Sequence, residues 1–257
     1  MADIEVRIEE QIGIVTINRP SRRNSMTLAM WRELARIFGA FGEDEGVRGI
    51  ILTGEGEHFC AGADISEFAQ LRATVEQGHA YDKAVDDVCD AIAAVAKPTI
   101  AAVRGFCIGG GSGLAMACDF RFAEPGAAVG IPAARLSIVY GMRETQNLLA
   151  LVGLANAKRI LFSAERFGAE EALRIGFIDR IEGDPLAAAQ EFAATMARNA
   201  PLSIAGAKAI LTGLAMGEGA LDPAHARAIV ERAFMSDDYR EGQRAFLEKR
   251  LPVFKGR

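Results

Sequence analysis

Apolar segments with strand character alternate with segments of helical periodicity, and this alternation constrains the fold more than any other feature of the chain. Thr99 to Val103 forms one apolar strand, which leads into three consecutive glycines at 109–111 and then into an apolar helix. A second unit follows, with strands at Asp119 to Ala123 and Ala128 to Ile131 and a helix that starts near Met142. Alternating strands and helices are typical of layered α/β folds. The sequence therefore predicts an α/β protein.

The N-terminal segment predicts a β-hairpin followed by a helix. Apolar and polar residues alternate over Ile4 to Ile8 and again over Ile12 to Ile17, on either side of a charged turn. From Thr27 the apolar spacing becomes helical, with Thr27 as the N-cap and with Gly39 and Gly42 marking the end of the helix. The next predicted elements are a strand at Gly49 to Thr53 and a helix from about Thr74 to Ala96.

After about residue 169 the strand signal fades and helical segments dominate. The predicted helices are Ala169 to Ile175, Pro185 to Arg198, Pro201 to Met216, Pro223 to Phe234 and Asp237 to Lys249. Prolines at the starts and glycines at the ends of such segments are usual helix boundaries. We divide the chain into a core, residues 1–195, and a helical region, residues 196–257. The helical region is too small for a robust core of its own, so it is expected to pack on the chain's own core or on a neighbouring subunit.

Composition and charge exclude several functional classes. The 29 basic and 34 acidic side chains give a formal net charge of −5, the wrong sign for neutralising many phosphates, so we expect no nucleic-acid partner. The four cysteines contain no C-x-x-C pair and lie near no histidine cluster, so we expect neither a metal site nor a disulfide framework. The most apolar stretch, Gly105 to Cys118, falls short of the roughly 20 residues that span a membrane. The acidic N-terminus does not resemble a secretory signal, which predicts a cytoplasmic protein.

The glycine triplet at 109–111 is the sharpest candidate for a functional site. The first N–H groups of a helix have no acceptor within it and lie at the positive end of its dipole. A phosphate, or the oxygen of a carbonyl that becomes an oxyanion, could bind there. The spacing matches neither the dinucleotide-binding pattern nor the P-loop, because no lysine follows. The alternative interpretation is that the glycines only allow a helix to pack tightly on a strand.

A second glycine-containing loop, Phe59 to Ile65, also follows a strand and precedes a helical segment. It could expose the backbone N–H of Ala61 or Gly62. Taken singly, such a loop is more often an ordinary surface turn. Two loops that converge, each with a free donor, would form a binding site.

Several segments together resemble the enoyl-CoA hydratase/isomerase (crotonase) superfamily. They have that family's order and spacing and cover nearly the whole chain: Asn18 to Pro20 with Asn24, Phe59 to Ile65, Lys97 to Gly105, Gly109 to Gly111, Cys118 with Asp119, and Phe246 to Phe254. The resemblance implies a spiral of ββα units with a C-terminal helical trimerisation region, residues 196–257. It also implies trimers or dimers of trimers that bind acyl-CoA thioesters. Coenzyme A would be part of the substrate, and we expect no separate cofactor.

The same resemblance implies an oxyanion hole. The backbone N–H groups of Ala61 and Gly110 would hold the thioester oxygen and stabilise an enolate, as pre-aimed donors in a dry pocket can do. Further residues are expected to bind the substrate: Arg22, Arg23, Cys60, Ala63, Asp64, Ile65, Gly109, Gly113, Ala133, Arg135, Phe254 and Lys255.

The chain departs from the family's hydratases at two positions. Those enzymes carry a glutamate just after the glycine triplet and a second one further along, whereas this chain has Gly113 and Ala133 there. Hydration of a double bond therefore lacks its usual general acid and base. The region offers instead Tyr140, Arg143 and Glu144, at the entry to a helix that in the family borders the acyl pocket.

A tyrosine here, without the second glutamate, is similar to the methylmalonyl-CoA decarboxylase branch, and a pocket without carboxylates would suit an anionic substrate. We expect decarboxylase-like or isomerase-like chemistry, with Ala61, Gly110, Tyr140, Arg143 and Glu144 as catalytic residues. Two alternatives stay open. One is an enoyl-CoA hydratase that uses Glu144 or another acid, and the other is a non-catalytic acyl-CoA binder. Tyr140 could also be a simple wall residue and Arg143 a surface charge.

Overall fold

The computed structural model of the chain describes residues 2–217 and 219–257, which form an α/β fold with two sheets. The strands in these residues are β1 (Ile4–Glu9), β2 (Ile12–Ile17), β3 (Gly49–Gly54), β4 (Thr99–Val103), β5 (Phe106–Ile108), β6 (Phe120–Ala123), β7 (Ala128–Gly130), β8 (Arg166–Gly168) and β9 (Arg180–Ile181). The larger sheet has the order β1-β2-β3-β4-β6-β9, and β5, β7 and β8 form the smaller one. In the larger sheet only the N-terminal hairpin pairs antiparallel. The predicted α/β class and the hairpin are confirmed.

Helices follow or connect most of the strands. Those in the described residues are α1 (Leu28–Glu43), α2 (Phe68–Leu71), α3 (Val75–Ala94), α4 (Gly110–Ala117), α5 (Met142–Ser163), α6 (Ala169–Arg174), α7 (Pro185–Ala197), α8 (Pro201–Ala215), α9 (Pro223–Phe234) and α10 (Asp237–Glu248). The predicted helices agree with these to within a few residues. One detail is wrong, because α1 continues through Gly39 and Gly42. The short strands β5, β8 and β9 are additions that the sequence pattern does not predict.

The larger sheet is buried on both faces. In β3, Ile50 and Leu52 belong to the core that α1 and α3 cover, whereas Ile51 belongs to a second cluster under α7. Such burial on both faces is usual for parallel strands. Because β3 and β4 run parallel, the loops that follow them leave the sheet at the same edge. The chain after β4 forms β5, whose Cys107 pairs with Cys60, so the two glycine-containing loops lie side by side.

Lys208 anchors the first helix of the C-terminal region to the core. Its ammonium group donates to the carboxylate of Asp119 at 2.9 Å and to the carbonyl oxygen of Lys97 at 3.1 Å, and its side chain is only 8% exposed. Beyond α8, the helices α9 and α10 carry exposed apolar side chains, among them Val230, Phe234, Phe246 and Leu247. The boundary predicted at residue 195 lies within α7. That boundary and the implied trimer or dimer of trimers stay predictions.

The structure of residues 2–217 and 219–257 bears on two of the excluded classes. None of the helices in that part of the chain is long and apolar enough to cross a lipid bilayer. Over the same residues, no three His, Cys, Asp or Glu side chains come together in a way that could hold a metal ion. The four cysteines are buried free thiols.

Candidate active site

A cavity of about 190 Å³ lies where the two glycine-containing loops meet. Its walls come from the loop after β3, from α3, from the loop before α4 and from the segment that leads into α5. The predicted site residues that line it are Ala61, Ala63, Ile65, Gly109, Gly110, Ala133, Tyr140 and Glu144. Packing thus brings together residues from widely separated parts of the chain.

Gly110 supplies a free backbone donor to this cavity. It is the first residue of α4, so its N–H has no acceptor within the helix, and it has none elsewhere in the residues that the structure describes. Gly109 before it has a φ of 57°, which favours glycine. The hydroxyl of the buried Ser112 lies 2.7 Å from the carbonyl oxygen of Cys107 and helps to hold the loop. A Cβ atom added at Gly110 would lie 2.9 Å from the ring of Trp31, so only glycine fits there without a shift.

The loop after β3 offers a second free donor, at Ala63 rather than at Ala61. The N–H of Ala61, predicted to be a donor to substrate, instead donates to the carbonyl oxygen of Arg23 at 3.0 Å. The N–H of Ala63 has no acceptor within the part of the chain that the structure describes. It lies 3.7 Å from the place where a Cβ atom at Gly110 would be. The unengaged N–H groups of Ala63 and Gly110 therefore border the cavity from two neighbouring loops.

Asn24 and Asp64 fix the loop that carries Ala63. Asn24 is fully buried, and its side-chain amide donates to the carbonyl oxygen of Glu55 at 2.9 Å. The carboxylate of Asp64 accepts from the hydroxyl of Ser66 at 2.6 Å and pairs with Arg19 at 3.1 Å. These contacts, the one with Ser66 above all, lower the pKa of Asp64. Asp64, predicted to bind substrate, is thus engaged within the loop.

Glu144 enters the cavity from the first turn of α5 and fills the space beside Gly113. The residue is only 8% exposed, and a Cβ atom added at Gly113 would lie 2.9 Å from its Oε1 atom. Burial, followed by the negative charges of Asp86 and Asp82, raises the pKa of Glu144 to about 7. A carboxyl group from α5 therefore lies against the position in α4 at which the family's hydratases carry a glutamate. A carboxyl with this pKa can accept and return a proton near neutral pH.

The wall formed by α3 and the segment before it contains charged residues that the sequence analysis does not predict. The guanidinium group of Arg72 lies 5.2 Å from the ring centre of Tyr81 and pairs with Asp82 at 2.8 Å. Asp86, one turn further along α3, also lines the cavity. The expectation of a pocket without carboxylates is wrong, because these two aspartates and Glu144 border it. Asp82 and Asp86 are four residues apart, and this spacing is the only sign in the sequence that they share one face of α3. An ordinary solvated helix face shows the same pattern.

Tyr140 and Arg143 both precede Glu144 closely in the sequence, but their side chains have different surroundings. Tyr140 lines the cavity, and its hydroxyl oxygen lies 3.9 Å from the place where a Cβ atom at Gly109 would be. Burial raises the pKa of Tyr140 well above its ordinary value, so the hydroxyl keeps its proton and can donate. Arg143 forms an ion pair with Asp90 of α3 at 2.5 Å and does not line the cavity.

The remaining predicted residues lie outside the cavity wall. Cys60 and Gly113 are buried behind it, and burial raises the pKa of the Cys60 thiol to about 12. Lys255 belongs to the C-terminal segment, where its backbone N–H donates to Asp238 of α10 at 2.7 Å. Contact with an acyl-CoA stays a prediction for the whole set, which comprises Arg22, Arg23, Cys60, Asp64, Gly113, Arg135, Phe254 and Lys255.

Known proteins are similar to this chain in fold and in sequence along nearly its whole length. A family model described as enoyl-CoA hydratase/isomerase matches residues 7–257. A short-chain-enoyl-CoA hydratase from Clostridium acetobutylicum is 36% identical over 254 residues, which cover 97% of this chain and 96% of that protein. The crystal structure of an enoyl-CoA hydratase/carnithine racemase from Magnetospirillum magneticum has a TM-score of 0.94 at 35% identity, covering 100% of this chain and 97% of that one.

An enoyl-CoA hydratase from Bacillus anthracis gives a TM-score of 0.89 at 32% identity, with both chains fully covered. These matches confirm the predicted crotonase fold. Members of this family act on acyl-CoA thioesters, as the shared name of the family model and of the relatives indicates. By sequence along nearly all its length and by fold, the chain is a member of the enoyl-CoA hydratase/isomerase family of acyl-CoA enzymes.

Proposed function

We propose that this enzyme shifts the double bond of an enoyl-CoA thioester, with Glu144 as its single acid-base group. The observation that carries the proposal is one buried carboxyl with a pKa of about 7 in a cavity bordered by two free backbone donors. In the shift, Glu144 removes a proton from C2 of a 3-enoyl thioester. The electron pair moves into a dienolate, and the same proton is returned at C4 to give the 2-enoyl thioester.

The two backbone donors would stabilise the intermediate of this reaction. When the proton leaves C2, negative charge develops on the thioester oxygen. The N–H groups of Ala63 and Gly110 would donate to that oxygen, and donors fixed in place before the reaction need no reorganisation when the charge appears. We therefore assign the donor in the loop after β3 to the N–H of Ala63 instead of that of Ala61. A base whose pKa lies near the working pH is efficient, which suits Glu144 to its role.

Decarboxylation fits this cavity less well than a proton shift does. A malonyl-type substrate would bring a carboxylate into a cavity already bordered by Glu144, Asp82 and Asp86. The guanidinium group of Arg72 on the wall is paired with Asp82. Like charges in a partly buried site repel one another with little screening. The isomerase-like expectation is therefore favoured over the decarboxylase-like one.

Hydration of an enoyl-CoA is the second candidate. Asp86 adds a second carboxyl to the cavity wall, and one relative is named a short-chain-enoyl-CoA hydratase. Against hydration, Gly113 and Ala133 leave both of the family's usual positions without a carboxyl. The remaining alternative is a protein that binds acyl-CoA without turnover.

Matched four-carbon substrates distinguish these functions. We expect 3-butenoyl-CoA to be converted to crotonyl-CoA faster than crotonyl-CoA is hydrated, because a proton shift needs only one acid-base group. The conjugated product is measured by its ultraviolet absorbance and the hydrated product by its added mass. In deuterated water, a single base should return part of the original protium at C4. Faster hydration of crotonyl-CoA would favour the hydratase, and acyl-CoA binding without either reaction would favour the binder.

Gly113→Ala is expected to lower activity without unfolding the protein. The new methyl group would lie 2.9 Å from Oε1 of Glu144, so the flexible end of that side chain must move. Alanine within a helix is more favourable than glycine by roughly 0.5 to 1 kcal/mol, so the Tm should not fall. Gly39→Ala in α1, which meets no atom within 4 Å, is the matched control. If kcat/KM in Gly113→Ala equals that of the parent, the close approach of Glu144 to Gly113 has no functional role.

A further inference from the structure

We propose that Asp86 is a positioning residue for the proton on Glu144: its unpaired charge faces that buried carboxyl across the cavity and keeps it a strong enough base to attack the substrate. The inference rests on the proposed role of Glu144. It adds to that role a residue of α3 whose spacing alone does not distinguish it from a solvated helix face.

Asp86 is the middle member of a row of three aspartates on one face of α3. Residues four apart on a helix are neighbours, which places Asp82, Asp86 and Asp90 in line. Asp82 pairs with Arg72 at 2.8 Å, and Asp90 pairs with Arg143 at 2.5 Å. Within residues 2–217 and 219–257, Asp86 has no basic side chain within ion-pair distance. It is therefore the member of the row without an ion-pair partner.

Asp86 and Glu144 border the same cavity from two different helices. A Cβ atom added at Gly141, the residue that precedes α5, would lie 3.7 Å from Oδ1 of Asp86. Glu144 is the third residue of that helix. The aspartate therefore lies at the end of α5 that carries Glu144. Asp86 is half-buried and Glu144 is buried, so water screens the interaction only in part.

Within the described part of the chain, the basic groups near Glu144 offset this charge only in part. From the segment before α3, the guanidinium group of Arg72 is paired with Asp82, and its effect of lowering the pKa of Glu144 is the smallest of the causes. In α5, Arg143 is paired with Asp90, and its effect of lowering the pKa of Asp86 is likewise the smallest of the causes. The Cys89 thiol of α3 and the Tyr140 hydroxyl, which precedes α5, have pKa values raised mainly by burial, so both are neutral. The helix α4, which lies against Glu144 at Gly113, contains no charged side chain. The negative charge of Asp86 therefore acts on Glu144 with only partial compensation.

The pKa values of the two carboxyls agree with this geometry. Burial is the largest cause of the raised pKa of Glu144, the charge of Asp86 is the next, and a hydrogen bond from the backbone of Gly141 acts in the opposite direction. The pKa of Asp86 is itself raised, by burial first and then by the charges of nearby aspartates, while Arg143 acts in the opposite direction. Removing the charge at position 86 should let Glu144 release its proton at a lower pH, which makes it a weaker base.

The direct test compares Asp86→Asn with Asp87→Asn by carbon-13 NMR of the glutamate carboxyls, with Glu144→Gln assigning the signal. Asp87 is the matched control, because it is exposed and pairs with Lys83 at 2.7 Å outside the cavity. In Asp86→Asn we expect the titration midpoint of Glu144 to fall by about one unit, a typical perturbation in proteins. Asp87→Asn should leave it unchanged. An unshifted midpoint in Asp86→Asn, or equal shifts in both variants, would overturn the inference.

The pH dependence of kcat/KM separates this inference from the proposed function. If Glu144 is the base, the acidic limb of the profile should move down in Asp86→Asn by the same amount as the NMR midpoint. One pH unit of that shift corresponds to a tenfold change in the proton affinity of Glu144. The plateau value of kcat/KM in Asp86→Asn should also fall, because Glu144 is then a weaker base. A shifted NMR midpoint with an unmoved kinetic limb would support the action of Asp86 on Glu144 and would contradict Glu144 as the catalytic base.

Discussion

Glutamine at position 144 is expected to lower kcat for the double-bond shift by about 10²- to 10⁴-fold, the usual contribution of a general acid-base group. The amide has nearly the same size as the carboxyl and fills the same space beside Gly113, but it cannot take up and return a proton. Binding of an acyl-CoA should therefore be retained. Steady-state kinetics give kcat, and isothermal titration calorimetry with a saturated acyl-CoA gives the Kd.

The parent enzyme and a distant glutamate provide the controls for Glu144→Gln. Because the pKa of Glu144 is about 7 and its ionised form is the base, kcat/KM of the parent should rise with pH through that value. The residual rate of the variant should not show this rise. Glu170→Gln makes the same chemical change in the exposed first turn of α6 and should keep full activity. A Glu144→Gln enzyme within a few-fold of the parent would exclude Glu144 as the acid-base group.

Proline at position 110 is expected to lower kcat by at least the factor of about 10² to 10³ that accompanies loss of one oxyanion donor. Proline has no backbone N–H, and it is compatible with the first position of a helix, so α4 itself should persist. The new side chain also meets a neighbour, because a Cβ atom at this position lies 2.9 Å from the ring of Trp31. Circular dichroism and the Tm establish whether the variant is folded, and kcat/KM measures the loss.

Gly110→Ala separates the donor from the steric contact. Alanine brings the same Cβ atom toward Trp31 but keeps the N–H group. We expect Gly110→Pro to lose substantially more activity than Gly110→Ala, and that difference measures the contribution of the donor. Equal losses in two folded variants would attribute the whole effect to the contact with Trp31 and would contradict the role of the Gly110 N–H.

Local patterns in the sequence predict most of the elements because local forces determine them. Thr27 begins α1 as predicted, since its hydroxyl accepts the N–H of Met30 at 3.3 Å. The strands β5, β8 and β9 have two or three residues each, too few for a periodic pattern. Gly39 and Gly42 do not end α1, because one glycine in a helix costs only about 1 kcal/mol and the buried side chains around them hold the helix.

The site could be predicted only in part, because tertiary packing brings its groups together. A glycine triplet before a helix indicates a free N–H at Gly110 from local sequence alone. Whether Ala61 or Ala63 supplies the other donor depends on the bond from Ala61 to Arg23, which lies on a distant part of the chain. No spacing of residues in the sequence predicts that Glu144 of α5 approaches the helix that carries Gly110. The sequence shows that position 113 has no carboxyl, whereas only the folded structure shows that the carboxyl of Glu144 lies beside that position.

The strand order of the larger sheet has a consequence for how the protein folds during synthesis. Each strand is added beside an earlier one at the growing edge, and no strand has to insert between two that are already paired. Pairing between segments close in sequence requires less loop-closure entropy, so the sheet can grow from the N-terminus as the chain leaves the ribosome. The segments that carry the two backbone donors follow β3 and β5 and precede α5. The donors can thus be in place before the helix that brings the carboxyl has been made.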